Sequence, residues 1–273
     1  MTEAETRIEV QKKHPPPMLE MLYRRSRTAL KGLVEGSQEY GRLQAAMRDL
    51  IRTAASGRSP RSLLDVGCGA GGYSLGYAEA ACVPPERVCG VDADGTYIDS
   101  ACRRFVAHVV DLESERLPVD DGSMDFVVCN QVLEHLKDIF WVLAEMDRVL
   151  AVGGVLAIGV PNLTSLINRP VLLLGRQPIT IAIEGPHVRG FAHHSFRRFL
   201  ERHPGYRLVA ERGSSLYPWP ARLGAERLAR RLPSLSAYAL YALVKEAAVV
   251  PCPWRTVSSS GETTYRPAGG VEA

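Results

Sequence analysis

The stretch Arg61-Ser-Leu-Leu-Asp65-Val-Gly67-Cys-Gly69-Ala-Gly71-Gly72-Tyr73-Ser74 constrains the fold more than any other part of the chain. Apolar residues lead into an aspartate, four glycines follow within six positions, and a helix-compatible run begins. That is the pattern of a buried strand running into a tight turn that opens a helix. Glycine is needed where the backbone takes φ > 0, or where a ligand touches main chain with no Cβ between them. The helix behind the turn offers free N–H groups and the positive end of its dipole. A nucleotide-cofactor loop is the expectation.

The rest of the chain supplies the elements such a loop requires. Strands are expected at 62–66, 87–92, 106–110, 124–130, 155–160, 206–211 and 237–245. Helices are expected at 72–81, 95–104, 139–150, 195–201 and 218–232. Strict alternation over 62–160 implies a parallel sheet covered by helices on both faces. Before it, Leu19, Leu22, Leu30, Leu33, Val34, Leu43, Met47, Leu50 and Ile51 recur at helical spacing, interrupted near 32–41. Two helices are expected there, packed beside the sheet and closing over the cofactor. Residues 1–17, ending in three prolines, read as a disordered leader, and 251–273 as a flexible tail. The main domain is then 61–250, with 163–190 breaking the alternation as a lid or acceptor insertion.

Composition sets limits on partners. A net charge of +3 over 273 residues argues for neither nucleic acid nor membrane. The basic clusters at Arg24–Arg27 and Arg227–Arg231 read as solvated helix faces. The N-terminus carries no apolar h-region, and the longest apolar run, 235–250, is broken by Lys245-Glu246. The six cysteines include no Cys-x-x-Cys pair, so they read as reduced, buried thiols in a cytoplasmic protein, with no metal expected.

Ligands of open parallel sheets bind beyond the carboxyl ends of the strands, at the point where strand order reverses. Asp65, Asp92, Asp111 and Asn130 all fall at such ends. Gly67 to Gly72 also satisfies G-x-G-x-x-G, with Asp92 placed 20 residues further on, so a dinucleotide site is a contender. Against it stand Asp65 two residues before the first glycine, a further carboxylate at Asp111, and the lack of a second catalytic domain. Carboxylates suit a cofactor with amino groups, a ribose diol and a positive sulfur.

The motifs "LLDVGCGAGGYS", "VCGVDAD", "DLESERLPVDDGSMDFVVCNQVLEHLKD" and "VLAVGGVLAIGVPN" resemble, in order and spacing, those of class I S-adenosylmethionine-dependent methyltransferases. The resemblance covers 62–162 and implies a doubly wound, Rossmann-like, mostly parallel seven-stranded sheet and S-adenosyl-L-methionine as cofactor. It implies that Asp65, Gly67 and Gly69 hold the methionine portion and that Asp92 takes both ribose hydroxyls. Asp111 and the Leu112 N–H would hold the adenine edge, and Asn130 would border the sulfonium. A looser likeness, through "NRPVLLLGRQPIT" and "PHVRGFAHHSFRRFLE", is to the MetW-like branch and to methyltransferases of sugars and polyketides. The long N-terminal segment and C-terminal extension depart from the MetW pattern.

Methyl transfer to a hydroxyl needs alignment, exclusion of water and a place for the proton. His135 follows the fourth strand, and His187, His193 and His194 flank the insertion; His135 and His187 are the expected catalytic pair. Glu134 reads as a structural or cofactor-shell group. Arg169, Arg176, Arg189, Arg197 and Arg198 are positioned for a carboxylate or phosphate on a small acceptor, or for surface solubility. Tyr217-Pro-Trp219-Pro reads as a packed edge, with contact to a membrane or lipid-linked acceptor as the weaker reading. Asn130-Gln-Val-Leu lacks the Asn/Asp-Pro-Pro-Tyr/Phe signature of base-methylating enzymes, so nucleic acid is not the expected acceptor. The expectation is a methyltransferase of a small molecule or glycan, acting at oxygen. The alternative is a cofactor-binding regulatory protein that transfers nothing.

Overall fold

The computed structural model describes residues 37–217 and 224–256. The leader, the first part of the N-terminal segment, Trp219 and most of the tail lie outside the described residues.

Seven strands form one sheet: β1 (Leu63–Val66), β2 (Val88–Asp92), β3 (Val106–Val109), β4 (Met124–Asn130), β5 (Leu150–Pro161), β6 (Tyr206–Ser214) and β7 (Tyr238–Lys245). Their order is β3-β2-β1-β4-β5-β7-β6, with β7 antiparallel to both neighbours and the other pairs parallel. The order reverses between β1 and β4, so a crevice opens beyond their carboxyl ends. The helices are α1 (Ser37–Ala55), α2 (Ser74–Ala81), α3 (Gly95–Ala101), α4 (Ile139–Val149), α5 (Asn168–Leu173), α6 (His193–Glu201), α7 (Ala225–Arg231) and α8 (Pro253–Thr256).

Both faces are covered because strand side chains alternate. In β4, Phe126 and Val128 point into a core made with α1, α2 and α3, while Val127 and Cys129 point into a second core with α4, α6 and Trp254. Continuous burial along β1 and along most of β7 follows from that double cover. Helix α1 is part of the core rather than an accessory. Leu43, Met47, Leu50, Ile51 and Ala54 form its buried stripe at helical spacing, each large one contributing about 1.5–3 kcal/mol by leaving water.

Several boundaries differ from expectation. Strand β5 begins five residues early, at Leu150, because residues 151–154 form a bulge against Met124 to Phe126 that reads in sequence as a Gly-Gly turn. Helix α6 starts at His193, ahead of the expected 195. The predicted interruption of the N-terminal segment ends before Gly41, which lies inside α1. The tail is a clearer correction. Its first residues pack as α8, with Trp254 only 2% exposed and its ring centroid 4.4 Å from His203 and 5.0 Å from Tyr206. Two prolines and the polar residues beyond masked that anchor. The cysteines are free, but Cys82 and Cys102 are exposed rather than buried.

A buried ion pair fastens β7 to α4. Lys245 Nζ donates to the carbonyls of Asp147 (2.6 Å) and Leu150 (3.0 Å) and lies 3.1 Å from Asp147 Oδ1, which also accepts from Tyr206 Oη at 2.9 Å. Lys245→Met leaves Asp147 charged and unpaired inside the protein and is expected to cost about 3–5 kcal/mol. Tyr206→Phe removes one hydrogen bond and is expected to cost about 1–3 kcal/mol. Urea denaturation of both variants checks the ranking; equal losses contradict it.

Candidate active site

The crevice is built first by the loop between β1 and α2. Gly67 N and Cys68 N donate to the carbonyl of Val91 at 2.8 and 3.0 Å, which ties the turn to β2. Gly67 has φ +77°, and a Cβ there would lie 2.2 Å from Val132 Cγ2. Gly69 has φ +52° and nothing within 4 Å of where its Cβ would sit. The first glycine is therefore required by packing, whereas the second borders open space in which a ligand can approach the main chain.

The acidic residues are held differently. Asp92, half-exposed at the tip of β2, accepts from Gly69 N through Oδ2 (2.8 Å) and from Asp94 N through Oδ1 (3.0 Å). Each carboxylate oxygen keeps a lone pair for a ligand. Asp65 lies beneath the loop, 4% exposed, with Ser74 Oγ donating to Oδ2 at 2.6 Å. Burial pushes its carboxyl up to about 7, the negative charge of Asp92 adds to the rise, and Ser74 opposes it. Asp111 is exposed and accepts from Ser114 Oγ (2.6 Å) and Glu113 N (3.0 Å); these bonds, Ser114's first, hold its carboxyl below the usual range. The side chain of Leu112 is buried in the core on the α4 face.

At the tip of β4, Asn130 Nδ2 donates to Tyr77 Oη (2.9 Å) and Gln44 Oε1 (3.4 Å), and the Tyr77 hydroxyl donates to the same Gln44 oxygen. Strand β4 and helices α1 and α2 are thus joined by three side chains at the carboxyl end of β4. Gln44 and Tyr77 were not among the expected site residues. The legible signal for Gln44 was a polar residue set into the apolar stripe of α1. The next residue, Gln131, has φ +61°, uncommon for a side chain with Cβ, and its Nε2 is buried without a partner.

The turn after β4 then meets the insertion. Its carbonyl at Glu134 accepts from Val188 N (2.9 Å) and Arg189 N (3.2 Å). That contact brings His187 beside His135, with ring centroids 4.7 Å apart and planes at 78°. His187 Nδ1 is 2.6 Å from the Thr180 carbonyl. Burial lowers the pKa of His135, as does the charge of His187, while a bond to the Pro186 carbonyl opposes the shift. Glu134 is buried, its Oε2 has no hydrogen-bond partner, and burial pushes its carboxyl up to about 8.

Other expected acceptor groups serve the fold. Arg169 donates to the carbonyls of Thr164 (2.9 Å) and Ser234 (3.2 Å), and Arg197 pairs with Glu201 (3.0 Å) and Glu211 (3.3 Å). His193 is buried against Glu211, with Nε2 2.5 Å from Oε1. Arg189 stays beside the Glu134 turn, donating to the Lys137 carbonyl at 2.9 Å.

Residues 64–158 match the family described as "Methyltransferase domain". A probable S-adenosylmethionine-dependent methyltransferase of Mycolicibacterium smegmatis is 32% identical over 49% of this chain and 49% of its own length. Trans-aconitate 2-methyltransferase of Methylobacterium radiotolerans is 31% identical over 59% of this chain and 60% of its own length. The chain thus spans about half the length of the curated relatives it matches. The solved methyltransferase from Archaeoglobus fulgidus shares the fold, with a TM-score of 0.53 at 18% identity over 80% of this chain and 99% of that one. Residues 64–158 thus carry a methyltransferase domain, and in motif and fold the chain is similar to the class I S-adenosylmethionine-dependent methyltransferases. S-adenosyl-L-methionine is the cofactor of that class.

Two measurements test the loop. Alanine at either Gly67 or Gly69 incurs left-handed backbone strain of about 1–2 kcal/mol. Only Gly67→Ala adds a collision with Val132, so it is expected to lower the melting temperature further. Gly69→Ala is expected to weaken binding of S-adenosylhomocysteine at least about tenfold while the fold persists, as read by calorimetry. Asp65 makes a separate prediction. Its folded-state pKa of about 7 exceeds the ordinary aspartate value of 3.8, so the folded chain holds a proton that the unfolded chain releases between those values. Stability falls as pH rises through that window, by up to about 4 kcal/mol, and levels off above it. Asp65→Asn keeps an acceptor for Ser74 and is expected to be more stable than the wild type at pH 8 but not at pH 4. A constant difference across that range contradicts the assignment.

Proposed function

We propose that this protein transfers the methyl group of S-adenosyl-L-methionine to an oxygen of a small-molecule or sugar acceptor, seated between the turn after β4 and segment 163–190. The observation that carries the reading is the Asp92 carboxylate bonded to Gly69 N at the crevice where strand order reverses. The residues present fit the cofactor: an open approach to main chain at Gly69, a half-exposed carboxylate on β2 and a second carboxylate at Asp111. Asp92 would take the ribose hydroxyls in a charge-assisted bidentate contact. Asp111 with the Leu112 N–H would hold the adenine edge, and Asp65, Gly67 and Gly69 would shape the methionine end. Bound there, the cofactor supplies an electrophilic methyl on a positively charged sulfur.

The protein's own work is positioning. Asn130, fixed by Tyr77 and Gln44, borders the reacting end of the crevice. His135 and His187 stand side by side on the acceptor side, placed to hold the atom that is methylated or to take its proton. A small acceptor agrees with a relative named for trans-aconitate. No helix among the described residues is long and apolar enough to cross a membrane.

Incubation of the purified protein with methyl-labelled S-adenosylmethionine and fractionated cell extract is expected to label a low-molecular-weight species. Label confined to RNA or protein contradicts the acceptor class. Binding of S-adenosylhomocysteine without turnover on any fraction favours a cofactor-binding protein that transfers nothing. Asp92→Ala is expected to weaken S-adenosylhomocysteine binding about 10- to 100-fold, the worth of a charged hydrogen-bond pair.

A further inference from the structure

Where Glu134, His135 and His187 meet, the chain brings one carboxylate and two imidazoles together from segments far apart in sequence, with their ligand atoms within 4.8 Å of one another. Neither the sequence motifs nor the methyl-transfer reading calls for a metal here. We propose that these three residues form a site for one divalent transition-metal ion, of the zinc, cobalt or manganese kind, with its open coordination positions facing the acceptor.

Three features support the assignment. The buried Glu134 Oε2 has no hydrogen-bond partner, and burying a carboxylate oxygen uncompensated is costly. The two imidazoles are oriented as metal-bound histidines are. His187 directs Nδ1 at the Thr180 carbonyl, 2.6 Å away, and His135 is bonded to the Pro186 carbonyl. A histidine held by one ring nitrogen on a carbonyl presents the other as a lone-pair donor of fixed direction. The donor set itself, two nitrogens and one oxygen, suits a borderline transition metal better than magnesium or calcium, which favour oxygen. The ligand atoms, within 4.8 Å of one another, draw closer to reach bond lengths of about 2.0–2.2 Å when the ion binds.

The second His–carboxylate cluster, Asp147 with His203 and Cys252, shows what a merely structural grouping looks like. There Asp147 Oδ1 is taken by Tyr206 and Lys245, and His203 Nδ1 accepts from Gly205 N at 3.2 Å. Lys245 already supplies the positive charge, so that cluster has no use for a cation.

Three protein ligands leave positions that an acceptor oxygen can fill. A cation there would orient a carboxylate or hydroxyl and, for a hydroxyl, favour loss of its proton to solvent before attack on the methyl carbon. That role rests on the methyl-transfer reading; binding of the ion does not.

The test is calorimetric titration of the chelator-treated full chain with Zn2+, Co2+ and Mn2+, with Co2+ absorption as a second readout. At least one of the three ions is expected to bind at one per chain, and His187→Ala and Glu134→Gln to weaken it more than about tenfold, the loss seen even when only an outer-shell partner is removed. His194→Ala, an exposed histidine outside the cluster, is expected to leave it unchanged. Thermal melts confirm that each variant is folded, and His187→Ala, only half-buried, serves if Glu134→Gln is not. Failure of all three ions to bind, or wild-type affinity in His187→Ala, overturns the site. S-adenosylhomocysteine binding is read separately. If it persists without metal binding, only the metal proposal fails; metal binding without it leaves the site standing and removes the transfer reading.

Discussion

The structure turns on one contact, the bond from Gly69 N to the Asp92 carboxylate. It joins the loop after β1 to the tip of β2, next to the point between β1 and β4 where the sheet reverses its strand order. The geometry around it follows from packing. Val91 fixes the loop through two backbone bonds, Val132 fills the space a Gly67 side chain would need, and Asp65 sits below with Ser74. A charged group at the edge, a near-neutral one beneath and open main chain between them make a surface for a polar, partly cationic ligand. Placing Asp65 under the loop keeps two like charges from facing the ligand together, since its proton is held to about pH 7.

The side proposed for the acceptor is organised by a second set of contacts. The turn after β4 carries strain at Gln131 and lends its Glu134 carbonyl to the segment that returns from the insertion. Residues more than fifty positions apart therefore meet beside the loop. Strain and unpartnered buried polar atoms in one short turn are what functional sites tend to retain, because the surrounding fold over-determines them. The Asn130–Tyr77–Gln44 network ties α1 and α2 to the tip of β4.

Much of this was legible before any coordinates. The seven strands, the crevice and the aspartates at strand tips follow from alternation of apolar runs with glycine-rich turns, which is local information. What escaped is non-local. Gln44 meets Asn130 and Tyr77 only because α1 packs across the sheet. Arg169 and Arg197 looked available for an acceptor, yet their partners, Ser234 and Glu211, come from other parts of the chain. The docking of Trp254 on His203 and Tyr206 was hidden for the same reason. The pairing of His135 with His187 was an expectation about roles, whereas their approach to Glu134 is a product of the return path of 163–190.

A crystal structure with S-adenosylhomocysteine bound tests the central claim most directly. The account predicts both ribose hydroxyls within hydrogen-bond distance of Asp92, main-chain contact at Gly69, and the sulfur facing Asn130 and the His135–His187 side. A ligand bound elsewhere, or one that leaves Asp92 untouched, contradicts it.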